Sequence, residues 1–267
     1  ILNTPIDKAA MIRLAPVLRD TLGADSDALA ILQPSADLTA SILNPLVAAI
    51  EAADGQVLCS QRVTAVQRDP AGAYTVSLQH TDATLTFDHV VLAVPPWSLP
   101  HIELPIAASA LANRFGAQPI ATVYLGYDAD VRLPTPLAQL PGPTTHDACV
   151  WVMDRAHCGE PGVMAVSLSA DGPWTALDHE LLALRCAKHL QAFAGDDATL
   201  RWHKVVTVHR ATPGATQNAI LQADERQPHP GLWLSGDWTH ALYPATLEAA
   251  VQTGFATASE IIATATS

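Results

Sequence analysis

The chain has 267 residues, of which 49% are hydrophobic and 15% are charged, and its formal net charge is −12. This composition fits a globular chain with a sizeable core and excludes a disordered one. Because 26 acidic residues outnumber 14 basic ones and no basic cluster occurs, nucleic acid is disfavoured as a partner. No run reaches the roughly 20 apolar residues of a membrane-spanning helix.

The first part of the chain predicts two helices followed by strands. An apolar repeat with helical spacing covers residues 5–22, and a second helix is capped by Asn44-Pro45 and ends at Gly55. The apolar run HVVLAV at residues 89–94 predicts a strand buried on both faces, as in a parallel sheet. The extended runs in this part are 56–59, 62–68, 73–79 and 84–94.

The rest of the chain predicts a mixed middle and an α/β return. Predicted strands are 122–127, 149–153, 162–169, 201–209 and 231–235, and predicted helices are 178–194 and 244–263. An α/β segment, a mixed middle and an α/β return are typical of one domain built from two separated stretches, with a second domain inserted between them.

Several well-known motifs are absent from the sequence. There is neither a GxSxG nucleophile motif nor a GxxxxGK[ST] phosphate-binding loop. No two glycines lie two positions apart, which excludes a GxGxxG dinucleotide fingerprint within these residues. The histidines and cysteines lack the paired spacing of a zinc site, so no metal is predicted.

The segment Leu232–Gly254, LWLSGDWTHALYPATLEAAVQTG, carries the strongest functional signal. It predicts a buried strand, a tight turn at Gly236-Asp237 and a helix that begins near Pro244. The aspartate can accept hydrogen bonds from backbone N–H groups or from the hydroxyls of a ligand. A helix N-terminus at the carboxyl end of such strands offers unpaired N–H groups and a partial positive charge, which favours an anion.

This segment resembles the C-terminal motif of the flavin amine oxidase and carotenoid/squalene desaturase superfamily. The matching residues are Gly236, Asp237, Thr239, Pro244, Ala245, Thr246, Glu248, Ala250 and Gly254. Within the superfamily, the chain looks most similar to the squalene-associated FAD-dependent desaturases, the group that includes hydroxysqualene dehydroxylase. The stretches that support this closer match are LNTP (2–5), VLRDTLGA (17–24), VVLAVPPW (90–97) and WVMDRAHCGEPGVMAVSLSA (151–170).

The resemblance implies an α/β fold. A partial, Rossmann-like FAD-binding domain would carry an inserted, mixed α+β substrate domain. Residues 46–100 and 212–267 would form the FAD-binding portion. Residues 1–45 and 101–211 would form the substrate-binding portion.

The resemblance also implies that FAD is the cofactor, and it assigns residues to the cofactor site. Asp237 matches the acidic residue that contacts the ribityl or pyrophosphate part of FAD. Backbone N–H groups of Thr246 and Leu247 would approach the pyrimidine edge of the flavin and stabilise the negative charge of the reduced ring. The other assigned positions are Val63, whose backbone would pair with adenine, Pro95 in the loop after a parallel strand, Gly236 in the motif turn, and Trp238 beside it.

Some of these positions also have a purely structural interpretation. Asp237 could cap its own turn, and Thr246 could cap the helix that follows. Trp238 and Tyr243 could pack in the core instead of beside a flavin. The sequence leaves these alternatives open, and it identifies no catalytic acid or base.

Two features depart from the pattern of the superfamily. Ala249 stands where the motif has a Gly that lets the helix pass close to the flavin ring, and the N-terminal GxGxxG unit is missing. We therefore expect the chain to be a fragment, a truncated gene product or one half of a split enzyme. A missing N-terminal FAD-binding segment or a partner subunit would then complete the cofactor site.

The resemblance implies redox chemistry between FAD and a squalene-type isoprenoid, either a desaturation or the reductive dehydroxylation of hydroxysqualene. An apolar substrate of this kind predicts a cytoplasmic protein with peripheral contact to the inner face of the membrane. Two alternatives stay open. One is another flavin oxidase of the superfamily, such as an amine or protoporphyrinogen oxidase, and the other is a non-catalytic lipid-binding or interaction fragment.

Overall fold

The computed structural model describes residues 2–23, 30, 32–81, 84–140, 150–195 and 198–265. The α-helices are α1 (Met11–Leu22), α2 (Asn44–Ala52), α3 (Ala108–Ala112), α4 (His179–Ala194) and α5 (Leu247–Ala265). The strands are β1 (Val63–Arg68), β2 (Tyr74–Leu78), β3 (Thr84–Phe87), β4 (Val90–Leu92), β5 (Ala117–Gly126), β6 (Leu137–Leu140), β7 (Val150–Asp154), β8 (Val163–Ser169), β9 (Trp202–Pro213) and β10 (Leu232–Leu234). This mixture of elements confirms the predicted α/β class.

The helix α1 begins later than the apolar repeat predicts. A turn precedes it, in which the N–H groups of Lys8 and Ala9 donate to the carbonyl oxygen of Pro5 at 2.9 and 3.0 Å. Ala10 is extended, and its N–H donates to the carbonyl oxygen of Ala215 at 2.8 Å. A tertiary contact therefore replaces the first turns of the predicted helix.

Two predictions for the segment before β1 are wrong. A π-helical turn over Thr39–Leu43 runs directly into α2, so Asn44 lies inside continuous helical structure and does not cap it. The extended run predicted at 56–59 forms no strand. Both predictions used only local residue preferences, which tertiary context overrides.

The larger layer is a five-stranded antiparallel sheet in the order β6-β7-β8-β5-β9. Helix α4 covers one of its faces. Asp178 caps this helix by accepting a hydrogen bond from the N–H of Leu181 at 2.7 Å, and the helix ends at Gly195, as predicted. The residues buried between sheet and helix include Val123, Leu125, Val152, Met164, Val166, Leu182, Ala183 and Leu190.

A second core lies between a three-stranded antiparallel sheet, β1-β2-β3, and the parallel pair β10-β4. Its buried residues include Val66, Tyr74, Leu92, Leu99, Phe115, Leu232, Leu234 and Trp238. Apolar residues between 102 and 111 also pack against it. The packing therefore joins 102–115, which the sequence placed in the substrate-binding portion, to the elements of the FAD-binding portion.

The parallel pairing predicted for residues 89–94 is present, since Val90, Val91 and Leu92 pair with β10. The run is not buried on both faces, however, because Val91 is 42% exposed while Leu92 is buried. Among the described residues, β10 is the strand that is hydrogen-bonded to β4. The sheet is therefore narrow here, and part of β4 faces solvent.

Candidate functional site

The carboxyl ends of β4 and β10 lie side by side and bring the predicted motifs together. The N–H of Ser235 donates to the carbonyl oxygen of Leu92 at 3.1 Å, which extends the parallel pairing beyond the strands. The indole Nε1 of Trp238 donates to the carbonyl oxygen of Val94 at 3.0 Å. The loop that contains Pro95 therefore lies against the turn that contains Gly236, as a site at the end of parallel strands requires.

The turn at Gly236 is fixed to helix α5. Gly236 has φ of 128°, a conformation that residues with a Cβ rarely adopt. The hydroxyl of Thr253 lies 3.0 Å from the carbonyl oxygen of Gly236, and it also accepts a hydrogen bond from the N–H of Gly236 at 3.3 Å. These contacts set the helix relative to the turn.

The N-terminus of α5 has the cap that the sequence left open as an alternative. The hydroxyl of Thr246 accepts a hydrogen bond from the N–H of Ala249 at 3.2 Å. The first N–H groups of the helix, including that of Leu247, have no acceptor within the helix and carry its positive dipole end. The capping role of Thr246 is therefore compatible with an anion-binding role of the backbone beside it.

Asp237 is half-buried at the start of a short 3₁₀ turn over Asp237–Thr239. Burial raises the pKa of its carboxyl above the ordinary value, and the backbone N–H groups of Trp238 and of Asp237 itself offset only part of this shift. A buried carboxylate with weak compensation gains stability from a further donor. The hydroxyl groups of a ligand could supply that donor.

Trp238 is buried, and its ring meets the ring of Phe115 edge to face at a centroid distance of 5.1 Å. Trp238 therefore packs in the core, which is one of the two interpretations that the sequence left open. A contact between Trp238 and a flavin stays a prediction. Val63 lies at the start of β1, opposite Leu78, and packs partly against the second core, so its proposed contact with adenine also stays a prediction.

The N-terminal segment supplies site residues that the sequence reasoning missed. The side-chain amide of Asn3 donates to the hydroxyl of Thr212 at 2.7 Å and its oxygen accepts a hydrogen bond from the N–H of Ala170. The guanidinium of Arg13 is buried and donates to the backbone carbonyls of three residues close to the motif, Ala219, His240 and Tyr243. The signal that could have found Arg13 is a basic residue within the apolar stretch MIRLAPVL at the start of α1.

The face of the five-stranded sheet opposite α4 carries exposed apolar side chains among polar ones. The register aligns Trp151, Ser167, Thr122 and Val206 in one row across β7, β8, β5 and β9. The neighbouring rows add Met153, Ala165, Tyr124 and Lys204 on one side and Ser169, Ile120 and Val208 on the other. Trp151 is 38% exposed and Val208 is 50% exposed, so this face exposes apolar side chains, with Lys204 as an exposed cation among them. We call it the open sheet face.

The open sheet face ends close to the motif. Asn3 joins Ala170, which follows β8, to Thr212 near the end of β9. Thr4 continues the link, because its hydroxyl accepts a hydrogen bond from the N–H of Ala215 at 2.8 Å. Ala215 lines a small cavity together with Arg13, Asp237, Trp238, Pro244 and Ala245. The N-terminal segment therefore lies between the open sheet face and the motif turn.

Comparison with known proteins identifies the family. Residues 18–262 match the family described as flavin containing amine oxidoreductase. The chain belongs to this family. Its family and its flavin cofactor, predicted from the C-terminal motif, are therefore confirmed, and FAD is the flavin typical of the family.

Two curated relatives of the chain are hydroxysqualene dehydroxylases. The chain is 26% identical over 264 residues to a hydroxysqualene dehydroxylase of Zymomonas mobilis, covering 95% of this chain and 58% of the relative. It is 28% identical over 257 residues to a hydroxysqualene dehydroxylase of Rhodopseudomonas palustris, covering 92% of this chain and 56% of the relative. The chain thus spans less than two thirds of the length of either protein.

A solved structure of a putrescine oxidase variant shows the same fold. The two chains superpose with a TM-score of 0.60 at 18% identity, over 80% of this chain and 51% of the other. Within the described ranges, no helix is long and apolar enough to cross a membrane. The same residues contain no group of three or more His, Cys, Asp or Glu side chains that could hold a metal ion.

Proposed function

We propose that this chain forms the substrate-binding portion and the C-terminal flavin-binding portion of an FAD-dependent oxidoreductase that acts on a squalene-type isoprenoid. The reaction would be a desaturation or the reductive dehydroxylation of hydroxysqualene. Residues 46–115 and 212–267 would belong to the FAD-binding portion, with the boundary at 115 following the second core. The observation that supports the proposal is the open sheet face, because its exposed apolar residues Trp151, Val206 and Val208 could contact an apolar chain.

The residues at the motif suit the flavin end of FAD. The N-terminus of α5 would face the pyrimidine edge of the ring, and the Asp237 carboxylate would accept hydrogen bonds from ribityl hydroxyls. Ala249, which replaces the Gly of the motif, is fully buried, so its methyl group packs inside the protein. When bound, FAD supplies the two-electron redox chemistry, while the protein orients the substrate and excludes water.

A further polypeptide segment, either in the same gene product or in a partner subunit, would complete the cofactor site. Helix α5 leaves apolar side chains exposed at Leu247, Val251, Phe255 and Ile262, and β4 leaves Val91 exposed. Such an apolar surface on a helix and a sheet edge suits packing against another α/β layer. A glycine-rich loop in that layer would supply the pyrophosphate contacts.

We expect the 267-residue chain alone to retain little or no FAD. Its sequence contains no GxGxxG loop, which supplies most pyrophosphate contacts in dinucleotide sites. The measurement is a titration with FAD, followed by desalting and by flavin absorbance and fluorescence. Retained flavin would contradict this expectation and would mean that the motif half of the site, or a second copy of the chain, suffices.

A charge placed on the open sheet face should block turnover of an isoprenoid. In the complete, FAD-loaded enzyme that contains this chain, Val206→Glu should lower kcat/KM for hydroxysqualene by about tenfold or more, since an ionised carboxylate is costly to bury beneath an apolar chain. Leu184→Glu, on the exposed side of α4, is the matched control and should leave turnover unchanged. Turnover of putrescine or protoporphyrinogen, with none of hydroxysqualene, would overturn the proposal.

An apolar substrate of this size partitions into bilayers, so we also propose peripheral contact between the protein and a membrane surface. The net charge of −12 makes attraction to anionic lipid unfavourable, so the contact would depend on apolar side chains. Flotation with neutral phosphatidylcholine vesicles tests it. Binding should persist at high salt, and a protein that stays in the aqueous fraction at every lipid concentration would contradict it.

A further inference from the structure

Arg13 is a buried cation with an unusual set of partners. Its side chain is 4% exposed, and it donates to the carbonyl oxygens of His240 at 2.6 Å, Tyr243 at 2.8 Å and Ala219. Its Nε has no hydrogen-bond partner among the described residues. Buried arginines usually pair with carboxylates, but this one holds a loop by its backbone.

The loop in question, His240–Tyr243, precedes the N-terminus of α5 and is closed by its own histidine. Nδ1 of His240 accepts hydrogen bonds from the N–H groups of Leu242 at 3.1 Å and Tyr243 at 2.8 Å. Nε2 lies 2.9 Å from Oε1 of Gln252 on α5. This pattern requires a neutral ring with its proton on Nε2, because Nδ1 has to accept.

Two side chains of α1 therefore hold the loop. Arg13 donates to carbonyls at both of its ends, and Asp20 accepts a hydrogen bond from the hydroxyl of Tyr243. Arg13 also lines the small cavity that Asp237 lines. No other element among the described residues donates side-chain hydrogen bonds to the carbonyls of both His240 and Tyr243.

We propose that Arg13 is a positioning residue for the flavin site: it fixes the loop His240–Tyr243 and thereby the direction in which the first turn of α5 points. This inference rests on the proposed function, which places the flavin at that turn. Arg13 itself would act through the loop, not by touching the reacting atoms. A residue of the first helix would in this way set the geometry of a site that lies more than two hundred positions later in the chain.

The first test is hydrogen–deuterium exchange of the chain without flavin. Arg13→Met should raise exchange about tenfold in peptides covering 238–246, because the loop loses its backbone anchor. Exchange in β5 and β8 should stay unchanged. The control is Arg201→Met, which removes an arginine from an exposed ion pair with Asp128 and should change neither region. Unchanged exchange in 238–246, or a rise throughout both cores, would overturn the proposal.

The second test separates a charged anchor from a simple packing role. Burial lowers the pKa of His240, and the charges of Arg13 and Arg226 lower it further, while the hydrogen bond that Nε2 donates to Gln252 and the charge of Glu248 raise it. Asp20 and Tyr243 face the same loop from α1 and from the loop itself. The pKa of His240, followed by NMR and assigned with His240→Gln, should therefore rise in Arg13→Met.

Arg13→Lys should keep that pKa low and restore most of the protection of the loop, because it keeps the charge and offers three donors. A pKa that rises equally in Arg13→Lys and Arg13→Met would overturn the proposal. Neither measurement uses flavin. Failure of the chain or of its complete protein to bind FAD would therefore count against the proposed function, while these results decide the role of Arg13 separately.

Discussion

Replacing Trp238 by Ala should lower the free energy of unfolding by about 3–5 kcal/mol. The indole is buried in the second core and packs edge to face on Phe115. It also donates to the carbonyl oxygen of Val94, which holds the Pro95 loop against the motif turn. Urea denaturation followed by far-UV circular dichroism measures the loss.

The conservative variant Trp238→Phe separates packing from hydrogen bonding. It keeps an aromatic ring against Phe115 but leaves the carbonyl of Val94 without its donor, so it should cost only about 1–2 kcal/mol. If Trp238→Ala left the unfolding free energy within 1 kcal/mol of the native value, the core-packing interpretation would be wrong. Trp238 would then be better explained as a residue kept for contact with the cofactor.

The elements that the sequence predicted well are those marked by local signals. Helix α4 is one example, because Asp178 caps its N-terminus and Gly195 ends it. Two short apolar runs, followed by Pro95 and by Gly236, predicted strands at the positions of β4 and β10, and the structure pairs the two strands in parallel. These signals need only neighbouring residues, so they survive in a single sequence.

The elements predicted poorly are those that depend on distant partners. The helix over 5–22 loses its first turns because Ala10 bonds to Ala215. The burial of Val91 depends on how many strands flank β4, which a local apolar run does not report. The order of the five-stranded sheet likewise follows from pairing between β5 and β9, strands separated by more than seventy residues.

In the candidate site, too, residues with local sequence signals were predicted and a residue with distant partners was missed. The motif turn at Gly236 contacts α5 through Thr253, and Asp237 lines a small cavity together with Pro244 and Ala245, which precede the helix. Arg13 was missed because its partners His240 and Tyr243 lie 227 and 230 positions away. A backbone carbonyl carries no side-chain signature, so sequence patterns cannot identify it as the partner of a buried cation.

Replacing Asp154 by Ala should lower the free energy of unfolding by about 3 kcal/mol at neutral pH. This aspartate belongs to the stretch WVMDRAHCGEPG, which carries part of the resemblance to squalene-associated enzymes. Its carboxylate is 1% exposed and accepts hydrogen bonds from Nε of Arg132 at 2.7 Å and from the N–H groups of Leu133 at 3.2 Å and Ala156 at 2.9 Å. Removing it leaves these donors without their acceptor, so we expect a structural role for it.

The pH dependence of this effect follows from the direction of the pKa shift. Burial alone would raise the pKa of Asp154, but the hydrogen bonds from Arg132, Ala156 and Leu133 outweigh it and hold the pKa below its ordinary value of 3.8. The charged form is therefore favoured in the folded protein. Its stabilising contribution is fully present above about pH 4 and is lost as the pH falls through the lowered pKa.

The comparison of Asp154→Ala with Asp128→Ala provides the control. Asp128 also pairs with an arginine, Arg201, but both side chains of that pair are more than half exposed, so its loss should cost less than about 1 kcal/mol. Denaturation of both variants between pH 3 and pH 7 measures the difference, which should shrink toward the acidic end because protonation removes the charge of Asp154 in the native protein too. Equal stability losses in the two variants at pH 7 would contradict the structural role. A large loss of turnover in Asp154→Ala without a loss of stability would instead place this carboxylate in the chemistry of the substrate-binding portion.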